Sequence, residues 1–287
     1  MKTVICLFLI IFTITVCNSN PVKNTKTPEK VVYLQKDKEI LEKILLLFST
    51  EKNAATADLI IKVGTFFKET PYVAHTLETE PEQLIVNLRE LDCTTFAENC
   101  LAIARIIKSE YPSFEKFTKE LQNIRYRKGE INGYTSRIHY FSDWIFESNK
   151  KKLIKDVSKE IANVPYPLQV NFMSTHPKSY VQLNDSTLIP VIAGQEKEIS
   201  KRKMYFIPEE KIAAYEISLK DGDIAGITTS IKGMDISHVV ILQRVAGRMH
   251  ILHASQTANK VILSEETLEE YLKNSKSATG IMVARPL

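Results

Sequence analysis

The sequence predicts an α+β protein, with a helical first half and a sheet-forming second half. Three observations carry that prediction. Apolar residues recur at three- and four-residue spacing up to about residue 126, and from Ile207 onward short strand-like runs separated by Gly-containing turns replace them. Between these regimes, at Leu91-Asp92-Cys93-Thr94-Thr95-Phe96-Ala97-Glu98, an extended run passes into an amphipathic helix with a cysteine at the turn.

Composition fixes the class before any motif does. Of 287 residues, 44% are hydrophobic and 25% charged, which suits a globular chain with a sizeable core and excludes disordered, collagenous and multi-span membrane classes. The net charge of +4 is spread along the chain without a basic stripe, so no nucleic-acid partner is expected. Lys2 precedes an apolar run from Val4 to Cys17, too short for a comfortable bilayer span and matching the core of a secretory signal. We therefore expect a signal peptide over 1–19, a polar linker over 20–36 and one domain over 37–287, exported to the periplasm as a monomer without a transmembrane span. Ile14-Thr15-Val16-Cys17 is similar to a bacterial lipobox, but Val16 stands where such a box carries Gly, Ala or Ser. Cleavage nearby is the preferred reading and a lipid anchor on Cys17 the alternative.

In chain order, Ile40, Leu41, Ile44, Leu45 and Phe48 predict one helix, and Leu59, Ile60, Val63 and Phe67 a second. Leu84–Leu88 reads as a strand. A helix follows from about Cys93 to Ser109, stopped by Tyr111-Pro112, and another from Ser113 to about Tyr126. Residues 129–144 concentrate Tyr134, Arg137, His139, Tyr140, Asp143 and the sole tryptophan, Trp144. Rings stack on sugar faces and a guanidinium forks onto carboxylates, so the block fits a polar-ligand surface; an aromatic helix start packed in the core fits equally well. Residues 151–205 carry no readable role, and His176 reads as a solvated loop residue. In the second half, strands are expected at 224–229, 237–242, 249–255 and 281–284, with a short helix at 265–273.

Cys93 and Cys100 are seven residues apart, about 10 Å of helical rise, whereas a disulfide needs Cα atoms within roughly 7 Å. They should not pair, which leaves a thiol calling for a chemical explanation. Thiolate formation is favoured at a helix N-terminus and beside an imidazole, and Cys93 is placed for the first. If Ala246-Gly247 is a two-residue hairpin turn, paired positions sum to 493, Val240 faces His253, and His238 and His253 lie diagonally on one face at about 7 to 8 Å. A three-residue loop would put them on opposite faces. With the shorter turn, His238 is the base for Cys93, His253 orients it, and His250 points away. Two histidines that merely decorate the sheet are the plain alternative. A zinc site is a weaker one, because the spacing is neither CxxC nor HExxH; no metal or other cofactor is expected.

Asp92-Cys93-Thr94-Thr95-Phe96 resembles the nucleophile motif of the papain-like NlpC-type cell-wall hydrolases, in the DCTTF form of the AmiA-like N-acetylmuramoyl-L-alanine amidase family. Arg125-Tyr126 through Arg137-Ile138-His139-Tyr140 with Asp143-Trp144, Gly222-Asp223-Ile224, Asp235-Ile236-Ser237-His238-Val239 and Leu252-His253-Ala254-Ser255 extend the resemblance from about Tyr72 to Leu287. Val240 departs from it, since many relatives carry glycine after His-Val. The resemblance implies a papain-like fold, a Cys93-His238-His253 triad, and cleavage of the amide between N-acetylmuramic acid and L-alanine in peptidoglycan or muropeptide fragments. Asp92, Tyr134, Arg137, His139, Tyr140, Trp144, Ser237 and Ser255 are the expected substrate-side residues. A γ-D-glutamyl endopeptidase and a non-catalytic wall-binding protein are the alternatives.

Overall fold

The computed structural model describes residues 31–287, so the expected signal peptide and Cys17 lie outside the described residues. Helices α1 (Gln35–Leu47), α2 (Thr56–Phe66), α3 (Cys93–Ile107), α4 (Phe114–Arg125) and α5 (Phe141–Lys150) make up the first half. The rest carries strands β1 (Ile154–Asp156) and β2 (Val164–Tyr166), helix α6 (Leu188–Ser200), and β3 (Met204–Pro208), β4 (Ile224–Thr229), β5 (Ile236–Val245), β6 (Arg248–Ser255) and β7 (Lys260–Thr267). Helix α7 (Leu268–Asn274) and β8 (Ala278–Pro286) close it. The strands form one antiparallel sheet in the order β2-β3-β8-β4-β5-β6-β7, with β1 also paired to β8.

Period-2 alternation divides the sheet between two cores. Ile224, Val239, Ile241, Leu252, Ala254 and Met282 join the larger core under the helices. Ala225, Ile227, Val240, Leu242, Met249, Ile251, Ile281 and Val283 pack with Leu268 and Leu272 of α7 on the other face. Val240, the residue that departs from the family pattern, is therefore an ordinary core position. Helix α3 is the centre of the helical layer, packed on α2, α4, β5 and β6, and from Thr95 to Ile107 it is buried on almost every side.

The β5–β6 hairpin turns through Ala246 and Gly247, both at positive φ (49° and 88°), as a two-residue turn matching the strand twist requires. Its register is Ile241↔Leu252 through Val245↔Arg248, so paired numbers sum to 493, the value expected.

Four expectations change. The stretch expected as linker is docked from Val31 onward: Val32 N–H donates to Leu84 O at 2.9 Å, and α1 already begins at Gln35. Leu84–Leu88 is buried and extended but makes only an isolated bridge, Val32↔Ile85. Beyond the two backbone bonds with Val32, its peptide groups go to side chains, with Leu88 N–H donating to Asp37 Oδ1 at 2.8 Å and Arg125 Nη1 donating to Ile85 O at 2.7 Å. Residues 260–267 form β7, which was not expected, so the helix expected from 265 starts at Leu268. Thr267 caps it, with the Glu270 carboxylate accepting from Thr267 N–H in return. Finally, the unread 151–205 segment supplies two short strands and α6, which backs the site's second layer.

Candidate active site

Asp92 creates the position of Cys93. Its carboxylate accepts the Thr95 N–H at 2.7 Å while Thr95 Oγ1 accepts the Asp92 N–H at 2.9 Å, a reciprocal cap on the first turn of α3. Cys93 is thus the first helical residue, with its own N–H free of intrahelical partners. The cap uses Asp92 Oδ1, while Asp92 also lines the wider groove beside Cys93.

On the sheet side, His238 Nε2 and His253 Nδ1 are 2.6 Å apart, with ring centroids at 4.9 Å and planes at 78°. By strand parity both belong to the sheet face that carries α7. Tyr271 of α7 packs on both rings, near-parallel to His238 (6.4 Å, 24°) and edge-on to His253 (5.7 Å, 84°). His250 is elsewhere, its Nδ1 hydrogen-bonded to Ser264 O at 3.1 Å.

Cys93 and His238 line one cavity of ≈ 180 Å³, walled also by Ile138, His139, Phe141, Trp144, Ile236 and Ser237. Cys93 simultaneously borders a wider, more open groove of ≈ 460 Å³ formed with Tyr72, His75, Tyr134, His139 and Tyr180. The thiol makes no hydrogen bond to either imidazole; its polar neighbours are Thr94 Oγ1 at 4.0 Å and the Val239 backbone N–H. Burial, reinforced by the Asp92 charge, pushes the thiol up to about 11. Burial likewise pushes His238 down to about 3, helped by His253, and His253 down to about 4. The helix N-terminus favours a thiolate, whereas desolvation of both groups acts the other way, towards a neutral thiol and a neutral imidazole.

The 129–144 block is mostly structural. Arg137 is 5% exposed and is spent on its own chain: it donates to Leu77 O at 3.0 Å and to both Glu78 oxygens at 3.1 and 3.2 Å, and lies 3.6 Å from Glu82. It pins the 77–82 segment rather than presenting a fork to substrate. The Tyr140 hydroxyl donates to Glu196 Oε1 of α6 at 2.7 Å and accepts Met173 N–H at 3.1 Å. Ser255 caps the following turn by accepting Ala258 N–H at 3.1 Å. Tyr134 forms part of the wide groove, with the Arg137 guanidinium 4.9 Å over its ring. Ser237 is exposed at the narrow cavity. Trp144 is 4% exposed, stacked on Phe141 at 5.4 Å, and its Nε1 has no partner among the described residues.

Two tyrosines at the site were not anticipated. Tyr72 runs beside Leu91, bridging it in parallel just before the cap, and burial together with the nearby Cys93 and Asp92 charges pushes its phenol up to about 12. Tyr271 is also raised, by burial and then by Cys93. Neither carries a sequence signal. Tyr72 falls in a loop, and Tyr271 keeps the spacing of ordinary helix packing with Leu268 and Leu272.

No group of three or more metal-ligating side chains occurs among the described residues, and no helix there is long and apolar enough to cross a membrane.

This is an α+β fold whose helix-capped cysteine shares a cavity with His238, itself hydrogen-bonded to His253, the kind of site a hydrolase uses. The chain matches the N-acetylmuramoyl-L-alanine amidase-like (AmiA-like) family over residues 62–281 and belongs to it. A crystal structure of an N-acetylmuramoyl-L-alanine amidase from Bacteroides uniformis is 36% identical, covering 81% of this chain and 99% of that one at a TM-score of 0.78. A Bacteroides fragilis protein described as a candidate xylanase is 40% identical over 78% of this chain and 99% of its own, at 0.75. A Legionella pneumophila protein at 20% identity shares the fold, with a TM-score of 0.66 over 88% and 95% of the two chains. No curated protein matches. At the level of the family, the protein is a cell-wall amidase.

Proposed function

We propose that the protein hydrolyses the amide between the lactyl group of N-acetylmuramic acid and L-alanine, in exported peptidoglycan or its fragments, through Cys93, His238 and His253. The observation that carries this is the 2.6 Å bond from His238 Nε2 to His253 Nδ1, with His238 lining the cavity that holds Cys93. For His238 to act as base through Nδ1, its proton sits on Nε2 and is donated to a bare His253 Nδ1, which fixes both tautomers. His238 then takes the Cys93 proton as the sulfur attacks the lactyl carbonyl carbon, and gives it to the alanyl nitrogen as the C–N bond breaks. A water molecule, deprotonated by the same imidazole, cleaves the thioester and releases the lactyl carboxylate. The free Cys93 N–H stands as one donor to the oxyanion. Cys93 and His238 are not hydrogen-bonded without substrate, and such contacts commonly tighten only in the substrate complex.

Chemistry at the cavity disfavours a glycosidase, which requires two available carboxylates. The carboxylates lining the two cavities are Glu98, Glu78 and Asp92. Glu98 is bonded to Arg125 at 2.8 Å and Glu78 to Arg137, which leaves at most Asp92, one oxygen of which caps α3. Digestion of a muramoyl tripeptide by the wild type and Cys93→Ala tests the reading. Free tripeptide plus free sugar from the wild type alone supports the amidase, a muramoyl dipeptide plus the free third residue points to a γ-D-glutamyl endopeptidase, and equal turnover by both removes Cys93 from the mechanism.

A further inference from the structure

His139 stands where the two cavities at Cys93 meet, lining the narrow one and the wide one alike. Its ring is held in one orientation. Nε2 lies 3.1 Å from the Tyr134 carbonyl oxygen, and because that oxygen only accepts, Nε2 must carry a hydrogen. The Tyr134 ring packs on the imidazole at 4.5 Å, and Arg137 in turn stacks on Tyr134. Burial, and next the Arg137 charge, push His139 down to about 3, so the ring is neutral at ordinary pH. A neutral ring protonated at Nε2 has a bare Nδ1. No donor among the described residues reaches that atom, and it is not one of the sealed unpartnered atoms of the interior. The chain thus holds an acceptor without a donor on a residue that lines both cavities together with the candidate nucleophile.

We propose that His139 Nδ1 is a specificity-determining acceptor for a substrate amide N–H flanking the scissile bond. The inference rests on the amidase reading. An amide N–H is the fitting class because it can only donate, whereas a hydroxyl or water turns to suit either kind of partner. In a muramoyl peptide, two such groups flank the bond that is cut: the 2-acetamido N–H of the sugar and the N–H that follows L-alanine.

The variant His139→Gln separates the acceptor from the anchor. A glutamine amide nitrogen takes the place of Nε2 against Tyr134 O but brings no acceptor to the position of Nδ1. His139→Asn places an amide oxygen near that position instead and is the acceptor-retaining control, and a wild type insensitive to methylation at both flanking amides overturns the proposal whether or not His139→Gln folds. The rate of Cys93 alkylation by iodoacetamide checks that the site is intact in each. The kcat/KM values are compared for a muramoyl tripeptide and for two versions N-methylated at one or other flanking amide. One methylation should cost the wild type and His139→Asn about tenfold, the scale of one hydrogen bond, and cost His139→Gln nothing further; the sensitive analogue identifies the donor. Equal sensitivity to methylation in all three proteins overturns the role of His139 while leaving the amidase reading intact. Failure of the wild type to cleave even the unmethylated substrate overturns that reading, and this inference with it.

Discussion

His238 Nε2 and His253 Nδ1 lie 2.6 Å apart on adjacent strands, close enough that one proton is shared in a directed hydrogen bond. The bond exists because the β5–β6 hairpin turns through two residues, which puts both side chains on one face. If His253 holds the His238 tautomer, His253→Ala should lower kcat by about 10²- to 10⁴-fold, the range for losing proper acid–base function, with little change in KM. His253→Asn, whose amide oxygen can stand in for Nδ1 as acceptor, should recover part of that loss. Steady-state kinetics on both variants check this, and equal activity of wild type and His253→Ala contradicts it.

The resting thiol is expected to be neutral, because burial raises Cys93 to about 11 and lowers His238 to about 3. The alkylation rate of Cys93 should therefore keep rising above pH 9. A plateau reached near pH 5 would mean a preformed thiolate–imidazolium pair. The Asp92 charge contributes to the raised thiol, so Asp92→Asn, which preserves a good helix cap, should move the profile to lower pH.

Imidazoles with depressed values also make stability depend on pH. His139 and His238 lie at about 3 and His253 at about 4 when folded, against about 6.5 in an unfolded chain. Above pH 6.5 they are neutral in both states and contribute no pH dependence. Below it the unfolded chain binds protons that the folded one refuses, so these groups favour unfolding increasingly as pH falls towards 4. Imidazole ¹⁵N spectra at pH 5 should show all three neutral; a protonated His238 there contradicts the assignment.

Arg137 separates a strut from a substrate fork. Its partners Glu78 and Glu82 would be left without their cation by Arg137→Ala, and breaking a buried pair from one side costs about 3–5 kcal/mol. Chemical denaturation should show a loss of that order. A stable variant with only a raised KM would return Arg137 to the substrate.

Gly226 of β4 marks how tightly the cavity wall is packed, since a Cβ there would lie 2.3 Å from Phe141 Cδ1 and 2.8 Å from Ile236 Cγ2. Both neighbours line the narrow cavity. Gly226→Ala should cost about 1–3 kcal/mol by overpacking and lower activity by displacing Phe141, as thermal melts and turnover would show together.

The sequence made the framework legible where local rules agree with tertiary packing. The α3 start was readable because Asp92 is a strong cap ahead of a periodic apolar run, and the His238–His253 pairing because a two-residue turn fixes strand parity. Leu84–Leu88 misled because one bridging residue, Val32, and side chains, rather than a neighbouring strand, satisfy its backbone. In β7 the pair Glu265-Glu266 resembles a helix start, and only the Thr267 cap shows where α7 begins. For Arg137 and Tyr140, chemical type was readable but direction was not. Their partners Glu78 and Glu196 lie 59 and 56 residues away, and no local pattern announces such pairings.

The most direct test of the central claim is digestion of a muramoyl tripeptide in H₂¹⁸O, with mass spectrometry of both products. Cys93 attack on the lactyl carbonyl, followed by hydrolysis of the thioester, should place one ¹⁸O in the muramic acid carboxylate, leave the released tripeptide unlabelled, and vanish in Cys93→Ala. Label on the γ-carboxylate of the D-glutamyl residue, or the same products from Cys93→Ala, would contradict the account.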